Sequence, residues 1–207
     1  MHRIYYAVQT QFNIKSLFSD LFSGFSFRSK VENDPNGDLF VIQMKDLEHN
    51  YSSIKSDLTK VSSNKISSKF LLQKGDVLFI AKGSNNHAIE YKLDLPKAIA
   101  ASAFFVLRPI QSKVIPAYLS WYINQPPIQQ YLKENMAGTY ILNINKSTIE
   151  GITITLPPIN IQEKIVAIDN LRKREHLLMS AIMEKRKFAI SAVLLDIVKG
   201  NLKLKDN

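Results

Sequence analysis

Hydrophobic positions follow two regimes along this chain, and Pro157-Pro158 divides them. Before that pair, short apolar runs alternate with polar turns. Ile4–Val8 reads as an opening strand. Ile14, Leu17, Phe18, Leu21 and Phe22 recur at helical spacing, which predicts a short amphipathic helix over Ile14–Phe22 with Gly24 just past its end. Asn33–Gly37 is turn chemistry, and Leu39–Met44 predicts a buried strand. Residues 49–69 are polar and serine-rich, a loop with weak strand content. Leu72–Asp76 turns into the strand Val77–Ala81, which runs into the polar loop Lys82–His87. Ala88–Tyr91 and Ala98–Leu107 complete the short strands. Pro116 opens a helix with Tyr118, Leu119, Tyr122 and Ile123 on its apolar face, and Pro126-Pro127 break it. A second helix carries Ile128, Tyr131 and Leu132 and ends by Gly138. Tyr140–Ile144 is extended, Asn145 caps a turn of helix over Lys146–Glu150, and Ile152–Leu156 is the last strand.

After Pro157-Pro158 the period is helical to about Lys199. Asn160 is the expected N-cap, with Glu163 three residues on as in a capping box. Ile165, Ile168, Leu171, Leu178, Ile182, Ala189, Ala192 and Leu195 form a stripe at three-, four- and seven-residue spacing, interrupted by Glu175 and Lys185. Such a helix rises roughly 58 Å. The expected fold class is α/β (mixed α+β), short strands and small helices, followed by one long C-terminal helix that pairs as a coiled coil. The expected division is a domain over residues 1–158, the helix over 159–199 and a tail over 200–207.

Composition narrows the chemistry. The 207 residues contain no cysteine, which removes disulfides, thiolate metal sites and a cysteine nucleophile together. The four histidines, His2, His49, His87 and His176, have no metal-ligand spacing. No apolar run reaches the ~20 residues of a membrane span, and no signal-peptide pattern opens the chain, so a cytoplasmic location is expected. Net charge is +9, of which residues 161–207 carry +4, so the basic character is spread rather than confined to a tail. That balance favours polyanionic partners, nucleic acid foremost.

Catalytic motifs are missing. There is no GxxxxGK[ST] or GxGxxG phosphate loop. Leu156-Pro157-Pro158-Ile159 lacks the Asp/Asn and the aromatic that flank Pro-Pro in amino-methyltransferases, and reads as a connector. Ser84 near His87 has no acidic residue to orient it. Lys82–His87 instead has side chains that read bases, since Asn bonds adenine bidentately and Lys reaches guanine. The bland alternative is a solvated turn. Arg28 and Lys30 follow Phe25 and Phe27 either as solvated cations or as a basic edge facing phosphate, and Asn145-Lys146 at a helix start is a second such edge.

In order and spacing these pieces resemble the specificity (S) subunit of type I restriction–modification systems. The resemblance is carried by Gly24–Lys30, Val41–Leu47, Lys74–Gly83, Pro116–Asn124, Gly138-Thr139 with Asn143–Ile149, Ile152–Pro158 and Gln162–Val166. The Pro-Pro before Gln-Glu-x-Ile is its most specific part. It implies a target recognition domain followed by a spacer helix, with no catalysis in the chain itself. It implies that double-stranded DNA is bound and that methyltransferase and restriction subunits are partners. S-adenosylmethionine and ATP belong to those partners. The implied DNA-binding positions are loop residues: Arg28, Lys30, Lys82, Ser84, Asn85, Asn86, His87, Tyr140, Asn143 and Lys146.

Typical members have two recognition domains and two long helices packed antiparallel, whereas this sequence has one of each. The expectation is a homodimer with its helices paired antiparallel, reading two inverted half-sites. A half-subunit that pairs with a different S protein, a silent cassette or a truncated gene gives the same pattern. The rivals from other classes are a protein-only adaptor and a stand-alone DNA-modifying enzyme.

Overall fold

The computed structural model describes residues 10–48, 51, 53–64, 66–136 and 143–201. The expected strand Ile4–Val8 and most of the Tyr140–Ile144 segment lie outside them. In chain order the strands are β1 Gln11–Asn13, β2 Phe18–Ser23, β3 Leu39–Ile42, β4 Thr59–Val61, β5 Val77–Ile80, β6 Ala88–Glu90, β7 Ala98–Ala100, β8 Phe104–Pro109 and β9 Thr153–Thr155. The α-helices are α1 Pro116–Ile123, α2 Pro126–Glu134, α3 Lys146–Glu150 and α4 Ile159–Val198. The chain divides into two units, one up to Lys164 and one from Ile165.

The first unit holds three small sheets, ordered β2-β8-β5-β6, β4-β3-β7 and β1-β9. The four-stranded sheet is antiparallel throughout, while β3 pairs parallel with β7 and antiparallel with β4. The side-chain period of two assigns each strand's faces. Ile42, Ala98 and Ala100 join Leu78, Ile80, Phe104 and Val106 in the main core between the two larger sheets. Leu39, Val41 and Ile99 point the other way, into a smaller cluster with Phe25, Phe27 and Phe70. All four residues of β5 are buried, as a strand covered on both faces requires. Its second face meets α1, which packs on β5 and β6. Each fully buried Leu, Ile or Phe contributes about 1.5–3 kcal/mol.

Several expected elements change on folding. Ile14–Phe22 is not a helix: Ile14–Leu17 is one turn of 3-10 helix, and Phe18–Ser23 is a strand on β8. A nine-residue helix is marginal by itself, and the β8 ladder satisfies the same backbone with a longer-range partner. Gly24 therefore does not close a helix. A Cβ there would collide with the carbonyl oxygens of Ala100 and Ala101, so glycine permits the close approach that brings Phe25 beside Ala101. Ala98–Leu107 divides into β7 and β8, which belong to different sheets.

Motif residues act as joints. Asp76, 1% exposed, receives Arg108 Nε at 2.9 Å and NH2 at 2.8 Å, and its Oδ2 also accepts Gln73 N–H at 2.8 Å. That bidentate pair locks the Lys74-Gly75-Asp76 turn against β8. Asn124 imitates a strand: its Oδ1 accepts Ala88 N–H and its Nδ2 donates to Ala88 O, both at 2.8 Å. Tyr118 Oη donates to Thr155 O at 2.7 Å, and Tyr122 Oη accepts Thr155 N–H at 3.1 Å, tying α1 to β9.

The start of α4 also differs from expectation. Asn160 is not its N-cap, because the N–H groups of Ile161 and Gln162 already donate to Pro158 O, at 2.9 and 3.0 Å. The prolines carry no N–H to satisfy, so the helix opens directly after them. Gln162 is fully buried: its Oε1 accepts Ile115 N–H at 2.9 Å and its Nε2 donates to Pro157 O at 2.9 Å. The first turn of α4 is thus bound into the first unit.

The second unit is the rest of α4, a helix of 40 residues in all. Within it Asp169 receives Arg172 and Lys173, each at 2.8 Å. Burial pushes this carboxyl up, but the hydrogen bonds and charges of Lys173 and Arg172 outweigh that and hold it low. No helix among the described residues is long and apolar enough to cross a membrane.

Candidate functional site

The loop after β5 is built so that some polar side chains turn outward and one turns in. Gly83, at φ +93°, reverses the chain with open space around its Cα. Asn86 is 1% exposed, and its Nδ2 donates to Ile80 O at 2.9 Å. From α2, Gln129 Nε2 donates to Asn86 O at 3.0 Å and to Ile123 O at 2.9 Å. Held from beneath in this way, the loop exposes Lys82, Ser84 and Asn85. Asn86 supports the loop from the interior and presents no side chain to solvent. His87 is half-buried, and burial lowers its pKa, so it is a neutral ring at pH 7.

A second segment adjoins this loop. Asn143 forms an antiparallel bridge with Lys82, and Ile144 N–H donates to Ala81 O at 2.8 Å. Asn145 follows as the cap of α3, its Oδ1 accepting Thr148 N–H at 2.8 Å. Lys146 is exposed, with Nζ 3.9 Å from Glu150. The fold therefore gathers Lys82, Ser84, Asn85 and Asn143, with Asn145 and Lys146 next along the chain. Tyr140 lies outside the described residues. Arg28 and Lys30 are exposed but follow Phe27 beside the three-stranded sheet, and no described contact links them to the loop.

Among the described residues, Lys82 Nζ donates to Ser102 Oγ, at 3.4 Å. Arg28, Lys30 and Lys82 have no carboxylate partner among the described residues, which leaves their charge available to an anion. Ser84 and Asn86 also line a cleft of about 610 Å³ with Gln129, Gln130 and Lys133 of α2. No group of His, Asp and Glu among the described residues could hold a metal ion.

Tyr51 was not singled out by the pattern of the sequence, yet it belongs to this site. It is the non-glycine residue with positive φ, +53°, among those described, a conformation costing about 1–2 kcal/mol. Its hydroxyl accepts Asn85 Nδ2–H at 3.1 Å, and its ring lies 5.3 Å from that of His87 at 31°. The available signal was an aromatic in a serine-rich stretch with Leu47, Ile54 and Leu58 at helical spacing around it, a pattern that speaks for packing and not for a site. Gln129 gave none, since a glutamine bridging two backbone carbonyls reads as any helix-surface residue.

Of the helix positions, Ile165 is half-buried, and Ile168, Leu171, Leu178, Ile182, Ala189, Ala192 and Leu195 are exposed. Leu177, Met183, Phe188, Ile190, Leu194 and Val198 are exposed as well, so the apolar surface of α4 is not limited to the expected stripe.

Comparison with known proteins agrees with this architecture. The specificity subunit of the type I restriction enzyme StySPI from Salmonella potsdam is 24% identical over 159 residues, covering 74% of this chain and 34% of that protein. The HsdS subunit from Thermoanaerobacter tengcongensis has a similar fold, with a TM-score of 0.64 and 18% identity over 95% of this chain and 51% of that one. A chain solved in work on complex assembly and conformational transition of the type I R-M system gives a TM-score of 0.71 at 15% identity, again over 95% and 51%. The chain thus spans about a third of the curated relative and about half of these solved chains. The family model for the type I restriction modification DNA specificity domain matches residues 10–174, and the chain belongs to that family.

Proposed function

We propose that this chain recognises a DNA sequence for a type I restriction–modification system and performs no chemistry of its own. The observation that carries the reading is the loop after β5, where Lys82, Ser84 and Asn85 stand out together over a buried Asn86, next to Asn143 and Lys146. A mixed set of cations and amides suits a duplex, because cations grip phosphates while amides read base edges. Arg28, Lys30 and, from the undescribed segment, Tyr140 extend the proposed contact set, with His87 as a supporting ring. Methyltransferase and restriction subunits would supply methylation and cleavage, using S-adenosylmethionine and ATP.

The long helix supports a second element of the proposal. A helix with large apolar residues exposed along its length gains stability by covering them. Two copies of this chain, with α4 paired antiparallel through Ile168, Leu171, Leu178, Ile182 and Leu195, would place two recognition domains about a two-fold axis. The target would then be two inverted half-sites separated by unread bases.

Titration of labelled duplex DNA against salt tests the site. Lys82→Ala should lower the slope of log K against log salt by about one unit and keep the sequence preference. Equal slopes for the two proteins would remove Lys82, and the loop with it, from the interface.

A further inference from the structure

Tyr51 sits at the end of an excursion between β3 and β4 whose base is well fixed. Asp46 Oδ2 accepts Gln43 N–H at 2.7 Å, Lys55 N–H donates to Asp46 O at 2.8 Å, and Leu47 bridges Ile54. Tyr51 N–H closes a turn onto Glu48 O at 2.8 Å. The ring also packs at the edge of the main core. Covalent logic alone does not explain why a bulky residue occupies φ +53° here, because glycine or asparagine takes that conformation more readily. The contacts made from that position do explain it, since they are directed at the exposed loop: one hydrogen bond to Asn85 and one ring face to His87.

Resting on the DNA-reading function above, we infer that Tyr51 is a positioning residue that sets the amide of Asn85 for readout of one A·T pair. Asn85 is exposed at a loop tip, where a free amide rotates through several orientations. Its Nδ2 carries two hydrogens, and the one donated to Tyr51 Oη fixes the plane of the amide. Oδ1 and the remaining N–H are left as an acceptor and a donor. That pair complements N6–H and N7 of adenine in the major groove and mismatches guanine, which offers two acceptors there. The neutral His87 ring backs the Tyr51 ring and keeps its hydroxyl in place. Specificity at this position therefore depends on a residue more than thirty positions away in the chain that itself need not touch the base.

The test is selection from a library of randomised duplex DNA by the full chain, comparing the original protein with Tyr51→Phe and Asn85→Ala. Tyr51→Phe retains the ring and its packing and removes the one acceptor oxygen. The expected result is that both variants relax the same adenine position about tenfold, with other positions unchanged. The double variant should relax it no further than Asn85→Ala alone, because the two residues act as one unit. An unchanged preference in Tyr51→Phe, or an equal loss of affinity for all sequences, overturns the inference and leaves the DNA reading intact. The absence of any preference in the original chain overturns the DNA reading and the inference together.

Discussion

Asp38 joins three distant parts of the chain through one carboxylate. Lys97 Nζ donates to it at 2.9 Å, and Ser63 donates both its N–H at 2.9 Å and its hydroxyl at 2.7 Å. The Lys97 bond foremost, with the Ser63 bonds, holds the carboxyl well below its ordinary 3.8. On acidification the unfolded chain takes up this proton first, so the contribution is complete above the ordinary value and is lost as pH falls through the folded one. The thermal midpoint of Asp38→Asn should therefore lie below that of the original chain at pH 7, and the gap should close on acidification below about pH 4. A gap independent of pH would mean that the carboxylate contributes nothing as a charge. Side chains of this kind show how far single residues could be read in advance. Asn85 and Asn86 are identical neighbours in the sequence, and only the path of the loop after Gly83 sends one outward and the other in. Gly24 was expected as the end of a helix that does not form; glycine is required there by the approach of Ala100 and Ala101, which no local pattern encodes.

At the scale of elements, the joint after β9 turns on Gln162. Its amide binds Ile115, Pro157 and Lys113, and so holds the first turn of α4 to the segment entering α1. Gln162→Ala leaves Ile115 N–H without its partner in the interior and should lower unfolding free energy by about 1–3 kcal/mol, measured by urea denaturation. A cost below a few tenths of a kcal/mol would show that the joint is held by Pro157 and Pro158 alone. The sequence marked this segment as the most specific of its motifs, and the helix beyond it was legible from period and length. What failed was the short element before β3. Ile14, Leu17 and Leu21 are buried as a helix would have them, yet Leu21 faces inward from a strand. Over nine residues the two periods share enough positions that the β8 partner decides, and β8 lies some eighty residues on.

For the whole molecule, one recognition unit and one long helix account for a chain half the length of the solved relatives it resembles. The proposed two-chain assembly would bring together two such units, and its symmetry would dictate the form of the target. The fold class was legible because Pro or Gly marks most boundaries from β5 onward, whereas β3–β4 and β7–β8 carry neither, and Ala98–Leu107 read as one strand for that reason. The site was less so, because residues 82–87 and 143–146 meet through a bridge between Lys82 and Asn143 that no periodicity foretells. Co-expression of the chain with a type I methyltransferase subunit, followed by genome-wide mapping of modified adenines, tests recognition and symmetry in one measurement. Modification is expected at a single bipartite sequence whose two halves are identical and inverted across a fixed gap. Modification that does not depend on this chain, or a target lacking that two-fold symmetry, would contradict this expectation.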